Sequence, residues 1–213
     1  MATSQFTSII PPLENGDRLT RYEFERRYAA MPNLKKAELI EGVVYVPAAL
    51  RFGSHAEPHA NIMGWLWFYK IATPGVRIGD NPTVRLDSDN APQPDAILML
   101  DGGQATISSD DYVEGAPELV VEIAASSAAY DLYDKKRAYR RNGVREYLVW
   151  RVYENEIDWF YLESGEYIKL EADEGIIRSQ IFPGLWLAVD CLLSQEMEQV
   201  LAVLQRGLNS TEP

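Results

Sequence analysis

The segment from Pro117 to Asp131, PELVVEIAASSAAYD, places one carboxylate, that of Glu122, inside an otherwise apolar run. Such a run is typical of a strand that is buried in a sheet. An ionised carboxylate that is buried without a partner costs several kcal/mol of folding free energy. Glu122 must therefore lie at a strand end in water, hold a pairing partner, or bind a cation. The rest of the chain must provide one of these three solutions.

Strand and helix patterns around this segment predict an α/β fold with a mixed central sheet. Apolar runs predict strands at GVRIG, PTVRL, DAILML and LVVEI, and REYLVWRVY predicts another strand after them. Between the last two, a helix is expected from about Asp131 to Arg141, where Asn142-Gly143 would form a left-handed C-terminal cap. The sequence contains no repeat and no convincing linker, so one domain is expected over residues 1–213.

The two ends of the chain add helices and shorter strands. Thr20 and Glu23 have the spacing of a capping box, which predicts a first helix that ends near Pro32. AELI and VVYV around Glu41-Gly42 predict a hairpin. A second helix is expected from Pro58 to Ile71, where apolar residues recur at helical spacing. These residues are Ile62, Trp65, Leu66 and Tyr69. Short strands follow at IDWFYLE, EYIKLE, GIIRSQIF and LWLAVD, before a last helix in SQEMEQVLAVLQRG.

Charge and residue content argue against several classes of protein. The 213-residue chain has a formal net charge of −12. This charge argues against a generic polyanion binder, because nonspecific nucleic-acid affinity comes from Lys and Arg. One cysteine and two histidines fall short of a disulfide framework and of a four-ligand zinc site. No stretch approaches the roughly 20 apolar residues of a membrane span, so we expect a soluble cytoplasmic protein with no membrane partner.

Basic residues are concentrated in one part of the chain. Seven of the 20 Lys and Arg residues lie between Lys135 and Arg151, whereas the segment from Glu154 to Glu174 is acidic. The basic run is expected to form either a solvated helix face or a positive surface beside a nuclease site.

Two acids could carry chemistry. Asp95 in QPDAILML and Glu122 in LVVEI stand where apolar strands begin or end. If the two strands are neighbours, both side chains converge at the rim of the sheet. Converging carboxylates raise each other's pKa unless a cation lies between them. Mg²⁺ suits such a site, because it usually takes one or two protein carboxylates and completes its shell with water and phosphate oxygens. The alternative is that both acids are ordinary turn residues.

The helix predicted after LVVEI carries two lysines beside the face that should pack on the sheet. At about 100° per residue, Leu132, Lys136 and Tyr139 share this face. Lys135 lies just outside it. A lysine in this place could orient an attacking water or neutralise charge on a phosphate. The alternative is an ordinary i, i+4 ion pair of Asp131 with Lys135.

The succession AELIEGVVY, PDAILML and ELVVEIAASSAAYDLYDKKRAYRRNGVREYLVW resembles the Uma2 family (DUF820), a branch of the restriction-endonuclease-like PD-(D/E)xK superfamily. The resemblance covers roughly Thr20 to Val189 and implies a domain core over about 20–190. It implies an α/β core of the order αβββαβ with a mixed central sheet, to which this chain adds C-terminal strands and a terminal helix. It also implies that Asp95 and Glu122 are the metal-binding acids at the sheet edge.

The chain departs from the superfamily signature in the position of its lysine. The signature E-x-K would place a lysine two positions after Glu122, where Ala124 stands. In the Uma2-like pattern the lysine lies on the next helix, which selects Lys135. Ala125 replaces the serine of that pattern. Glu38, in ELIEG, matches the family's first acidic residue, and it either reaches the metal or is a charge at the hairpin edge.

These features predict a Mg²⁺-dependent DNA endonuclease, with Mn²⁺ as the alternative metal, that hydrolyses phosphodiester bonds by an activated water. Asp95 and Glu122 would hold the metal. Lys135 would stabilise the phosphate, and Glu38 would assist. Cleavage of both strands would require a homodimer. His59 matches a position that is often His in the family, ahead of the second helix, and is expected to be structural or to face the substrate.

Two alternatives to a nuclease stay open. The first is a noncatalytic binding or assembly module with the same fold, which the net charge of −12 and the two alanine substitutions would favour. The second is a carboxylate-based glycosidase, which would also use two acids.

Overall fold

The computed structural model describes residues 10–47, 49–125 and 127–210. The predicted domain of residues 1–213 includes residues 1–9, 48, 126 and 211–213, which lie outside the described residues. Helices α1 to α6 span Arg21–Ala29, Glu57–Ala72, Ala128–Tyr130, Lys136–Arg141, Val189–Leu193 and Met197–Leu208. Two π-helical turns, Phe52–Ala56 and Asp131–Lys135, directly precede α2 and α4.

Thirteen strands, numbered β1 to β13 in chain order, lie in the described residues. β1 to β7 span Glu38–Ile40, Val43–Tyr45, Val76–Asp80, Val84–Arg85, Ala96–Leu100, Thr106–Ile107 and Val113–Glu114. β8 to β13 span Leu119–Ala124, Glu146–Arg151, Glu156–Glu163, Glu166–Lys169, Ile176–Arg178 and Trp186–Ala188.

Six of these strands form the central sheet, in the order β11-β10-β9-β8-β5-β3. β8 pairs parallel with β9 and antiparallel with β5, and the other neighbouring pairs are antiparallel, so the sheet is mixed. The elements α2, β3, β5, β8, the helical segment from α3 to α4, and β9 follow one another in the predicted order αβββαβ. Strands β10 to β13 and helix α6 come after this core. The predicted fold class is confirmed.

The two faces of the central sheet are covered by different helices. Helices α2 and α6 pack on one face. The segment from α3 to α4, here called the crossover segment, covers the other face, where Tyr139 packs with Ile97 and Val120. Successive strand residues point to opposite faces. Asp95 and Glu122 stand two positions from Ile97 and Val120, so both carboxylates lie on the face under the crossover segment.

The crossover segment is helical as predicted but not regular. It begins at Ala128, three residues before Asp131, and contains a π turn. The backbone N–H of Lys136 bonds to the carbonyl oxygen of Asp131, an i→i+5 bond that places an extra residue in the turn. Lys135 is therefore on the buried face, and Lys136 lies with its Nζ 3.4 Å from the centre of the Phe160 ring. The prediction that Lys135 lies just outside the packed face was wrong, because it assumed a uniform α-helix, whereas Lys136 packs against the sheet at Phe160.

The predicted hairpin is formed by β1 and β2. Its turn residues, Glu41 and Gly42, have φ angles of 51° and 74°, as a two-residue turn with both central residues left-handed requires. Leu39 and Ala91 exchange two backbone hydrogen bonds, which fix the hairpin beside the segment that leads into β5. This docking brings Glu38, at the start of β1, to the edge of the central sheet.

Elsewhere the predicted elements need three corrections. The capping box of α1 is half formed, because Thr20 accepts from the N–H of Glu23, whereas the Glu23 carboxylate pairs with Arg26 and Arg27. PTVRL contributes only Val84–Arg85, to a separate sheet of the order β4-β7-β6. Helix α5 was not predicted.

The buried residues of α2 are the predicted stripe together with Pro58. In the part of the chain that the structure describes, no helix is long and apolar enough to cross a membrane.

A buried carboxylate outside the predicted set, that of Glu146 at the start of β9, fixes the loop between β12 and β13. The Ser179 hydroxyl donates to it at 2.8 Å, and the N–H groups of Gln180 and Ile181 donate at 2.7 and 3.2 Å. Burial raises the pKa of Glu146 from 4.5 to about 7, although these hydrogen bonds lower it. The carboxyl group is thus protonated more readily in the folded chain than in the unfolded one.

Glu146 is expected to make the protein less stable as the pH rises from about 5 to about 8. A carboxyl group with a raised folded-state pKa contributes stability that is fully present below its unfolded pKa and is lost as the pH rises through the folded pKa. The rise from 4.5 to about 7 corresponds to roughly 3 kcal/mol of unfolding free energy. Glu146→Gln keeps an acceptor without a charge and should remove this pH dependence. Urea unfolding of both proteins across this pH range measures it, and parallel curves would refute the assignment.

Candidate active site

Asp95 and Glu122 are placed opposite each other by the pairing of β5 with β8. In this antiparallel pair Ala96 faces Val121, and the same register continued by one position sets Asp95 opposite Glu122. The backbone N–H of Ile123 donates to Asp95 Oδ2 at 2.7 Å, which locks the two strands together at this point. Both carboxylates are only 3% exposed. The structure therefore brings the two predicted metal-binding acids to one place on one face of the sheet.

Glu122 lies within β8 and has a pairing partner. Its Oε1 accepts a hydrogen bond from Lys135 Nζ at 2.9 Å and another from the Tyr139 hydroxyl at 2.8 Å. Both donors come from the crossover segment, four residues apart. Glu122 therefore does not lie at a strand end in water, and that possibility was wrong. Its carboxylate instead has the pairing partner that the sequence allowed, the ammonium group of Lys135.

The Lys135 ammonium is shared among three carboxylates. Its Nζ lies 2.9 Å from Glu38 Oε1, 2.9 Å from Glu122 Oε1 and 3.6 Å from Asp131 Oδ1. Glu38 Oε1 also accepts from the N–H of Gln93 at 2.8 Å, so Glu38 is not an exposed charge at the hairpin edge. The i, i+4 pair of Asp131 with Lys135 exists, but it is the longest of the three contacts. Lys135 thus lies inside a buried cluster of acids.

The electrostatics of this cluster favour an additional positive charge. Burial lowers the pKa of Lys135, but the carboxylates of Glu122, Glu38 and Asp131 outweigh burial, and the net pKa lies well above its usual range. Burial raises the pKa of Glu122 well above its usual value. Lys135 lowers this pKa, and the nearby Asp131, Asp95 and Glu38 carboxylates raise it. Burial likewise raises the pKa of Asp131. Either a proton or a metal cation would relieve this repulsion.

Asp95 differs from the other acids of the cluster because its oxygen without a hydrogen bond is completely buried. Oδ1 is buried and has no hydrogen-bond partner among the described residues. Lys36 Nζ and His55 Nε2 each lie 3.5 Å from it, beyond a good hydrogen bond. His59 Nε2 instead lies 3.0 Å from the backbone oxygen of Asp95 and 3.2 Å from Asp80 Oδ1. Asp95 Oδ1 is the carboxylate oxygen of this site that is buried and left unsatisfied by the described protein groups, and the hydroxyl of Tyr130 is likewise buried without a partner.

The donor set suits a hard divalent cation. Asp95 offers the unsatisfied Oδ1, and the two hydrogen bonds that Glu122 accepts both go to Oε1. Two carboxylates are the usual protein contribution to a magnesium site. In the described ranges, no group of three or more His, Cys, Asp or Glu side chains is arranged to hold a metal ion. Asp95 and Glu122 are therefore the residues that would hold such a cation.

The acid cluster forms the floor of an open cleft of about 670 Å³, a volume typical of substrate sites. The walls come from the hairpin, from the segment after β2, from the crossover segment and from the turn after β9. Lys36 and Arg51 bring positive charge to these walls, and Tyr45, Tyr130 and Tyr153 bring aromatic rings. The floor is acidic, whereas the walls are mixed basic and aromatic.

The basic run from Lys135 to Arg151 does not form a positive surface beside the acids. Four of its five arginines pair with carboxylates instead, and Arg145 is exposed without an ion pair among the described residues. The pairs are Arg137 with Asp134 and Glu41, Arg140 with Glu166, Arg141 with Glu41 and Asp87, and Arg151 with Glu156 and Asp158. Within the described residues, Lys135 is the member of this run that lines the cleft. The expectation of a positive surface built from the run was wrong, because acids pair with four of its arginines and Lys135 is buried among carboxylates.

Lys36 and His55 line the cleft, but sequence reasoning did not select them. Lys36 stands two positions before Glu38, so an extended chain presents both side chains on one side. His55 stands four positions before His59, and the two rings stack with their centres 5.8 Å apart. His59 lies within α2, not ahead of it. These spacings were the only features of the sequence that could have pointed to Lys36 and His55. Both side chains lie 3.5 Å from Oδ1 of Asp95, a residue that is far from them in the sequence.

The family model Uma2, described as "Putative restriction endonuclease", matches residues 21–190. The chain belongs to the Uma2 family. The solved structure of a "putative nuclease belonging to DUF820" from Anabaena variabilis ATCC 29413 is similar to this Uma2 chain, with a TM-score of 0.61 and 13% sequence identity. The similarity covers 79% of this chain and 96% of that one, and at this identity it shows that the fold is shared. None of the curated proteins matches the chain in sequence.

Proposed function

We propose that this Uma2 protein is a Mg²⁺-dependent DNA endonuclease whose active site is the cleft over Asp95 and Glu122. The observation that carries the proposal is the buried, unsatisfied Asp95 Oδ1 opposite a second carboxylate at the floor of the cleft. Family membership and the nuclease-like fold support a nuclease. When bound, Mg²⁺ or Mn²⁺ would act as a Lewis acid on the phosphate and lower the pKa of a bound water.

The protein groups have separate roles in this proposal. Asp95 and Glu122 hold the cation. Lys135 and Tyr139 orient Glu122 by the two hydrogen bonds to its Oε1, and Glu38 holds Lys135 from the other side. This assignment makes Lys135 and Glu38 positioning residues.

Lys36 is the ammonium group that can meet a phosphate. It is more exposed than Lys135, with 22% of its side chain accessible against 4%. Its Nζ lies 3.5 Å from Asp95 Oδ1, so a phosphate held at Asp95 would come within its reach. We assign the role of phosphate stabilisation to Lys36, where the sequence had selected Lys135.

Nicking of supercoiled plasmid at low salt tests the proposal. We expect nicking with Mg²⁺ or Mn²⁺ and none with excess EDTA, because the two carboxylates repel each other and bind no phosphate without a cation. Asp95→Asn protein, purified identically, is the control for a contaminating nuclease. Equal nicking by both proteins would reveal a contaminant, and no nicking by either would favour a noncatalytic module of the same fold.

If duplex DNA is the substrate, we propose that the protein acts as a homodimer. Cutting both strands at one place needs two active sites, and a symmetric pair of chains supplies them. Light scattering on the purified protein measures the state of association, with and without duplex DNA.

A further inference from the structure

The cleft walls are rich in exposed apolar and aromatic surface. Tyr153, in the turn between β9 and β10, lines the cleft and is 60% exposed, and Leu50 on the facing segment is 65% exposed. Tyr45 and Tyr130 line the same cleft with their ring centres 4.1 Å apart. Aromatic rings at a nucleic-acid site act as stacking platforms for bases that are not paired.

Positive charge at the cleft is scarce. Besides the buried Lys135, the Lys and Arg side chains that line it within the described ranges are Lys36 and Arg51. Proteins that hold duplex DNA neutralise several phosphates with Lys and Arg, and each lost contact weakens binding. The arginines of the crossover segment cannot substitute, because acids already pair with them. The site therefore has few positive side chains with which to bind the phosphates of a duplex at its mouth.

The position of the acids points in the same direction. Asp95 and Glu122 are almost completely buried at the floor of the cleft, so a phosphodiester must enter the cleft to reach them. A duplex is stiff, with a persistence length of about 150 base pairs, so bending its backbone down to the floor of the cleft costs free energy. A single strand can bend into it and place its bases against the tyrosine walls.

We propose that the cleft binds an unpaired DNA strand, with Tyr153 as a stacking platform for a base next to the phosphate at Asp95. This inference rests on the proposed function for the identity of the ligand, but it assigns the substrate class and a new binding residue. Tyr153 is suited to this place because β9 runs parallel to β8, so the turn after β9 and the residues after Glu122 meet at the same edge of the sheet.

Binding and cleavage are measured separately. Binding is followed by fluorescence anisotropy with Ca²⁺, a divalent cation that also takes oxygen ligands, and with a labelled oligodeoxynucleotide of about 12 nucleotides, within the site sizes of single-strand binders. The same sequence as a blunt duplex is the comparison. Cleavage of both DNAs is then followed with Mg²⁺. The variants are Tyr153→Ala, Tyr153→Phe, which keeps the ring, and Tyr22→Ala, which removes a tyrosine that is 79% exposed and does not line the cleft.

The single strand is expected to bind at least about tenfold more tightly than the duplex. Tyr153→Ala should weaken binding of the single strand by about 5- to 150-fold, the range that corresponds to the loss of one stacked base. Tyr153→Phe and Tyr22→Ala should bind as the native protein does. Thermal unfolding of the variants shows whether the fold is intact.

Three binding results would overturn the inference: equal or tighter binding of the duplex, an equal effect of Tyr153→Ala and Tyr22→Ala, or no binding of either DNA. Cleavage of duplex without preference for the single strand would leave the nuclease proposal standing and remove this inference. Single-strand binding that depends on Tyr153, without cleavage of any DNA, would support this inference and contradict the nuclease proposal.

Discussion

Replacing Lys135 by methionine is expected to lower the free energy of unfolding by about 3–5 kcal/mol, the usual cost of removing one partner from a buried ion pair. Methionine can fill a similar volume, so the loss comes from charge and not from a cavity. The change leaves the carboxylates of Glu38, Glu122 and Asp131 buried without their shared ammonium group. Chemical unfolding at neutral pH measures the effect.

Lys136→Met is the matched control for this change. Lys136 stands next in the chain, is half-buried, and lies over the ring of Phe160. Its loss should cost no more than about 1 kcal/mol, the value of a partly exposed cation–π contact. An equal cost for the two substitutions would contradict the acid cluster as the source of the effect.

The pH dependence gives a second check on Lys135→Met. Without the ammonium group, the buried carboxylates should bind protons more readily in the folded state, so their folded pKa values rise. A raised folded pKa contributes stability at low pH that is lost as the pH rises. The deficit relative to native protein should therefore shrink as the pH falls. Glu122→Gln in the same chain should recover part of the loss, because it removes one uncompensated charge while Tyr139 can still donate to the amide oxygen.

Asp95→Asn is expected to reduce metal-dependent nicking by at least about 10³-fold, which corresponds to several kcal/mol of transition-state stabilisation. The substitution keeps an oxygen that can accept from the N–H of Ile123, but it removes the charge that would hold the cation. The protein should be as stable as the native one or more so, because one of four clustered carboxylates is gone. Calorimetric titration with Mg²⁺ or Mn²⁺ should show weaker binding in parallel with the loss of nicking.

Asp80→Asn is the control for the loss of an acid near the site. Asp80 contacts His59, but its side chain is 58% exposed and it does not line the cleft. Its nicking rate and metal affinity should match those of native protein. Nicking by Asp95→Asn at the rate of Asp80→Asn would place the active site elsewhere in the chain.

The two sets of measurements separate the roles of the charged groups. A variant of Asp95 should lose activity and keep stability, whereas a variant of Lys135 should lose stability and, through the freed Glu122, activity as well. This difference follows from geometry, because Lys135 is surrounded by acids and Asp95 has an unsatisfied oxygen at the cleft.

Much of the fold could be predicted from the sequence, because the signals are local. The apolar run around Glu122 has the composition of a strand that is covered on both faces, and the structure places it between β5 and β9. The hairpin at Glu41-Gly42 and the buried stripe of α2 depend on turn chemistry and on helical spacing, which act over a few residues. The pairing of Asp95 with Glu122 also followed from the sequence, once the two strands were taken as neighbours.

By itself, the sequence determined that a buried carboxylate in a central strand needs a positive partner. Only the tertiary structure decided which one it has. The π turn in the crossover segment brings Lys135 onto the buried face, and a regular helical wheel cannot reveal it. Lys36 and His55 reach Asp95 because the hairpin and α2 dock beside β5, so their selection depends on contacts between distant parts of the chain. The spacing of apolar residues predicts which face of a regular helix or strand is buried. The packing of whole elements decides which groups a side chain contacts on that face.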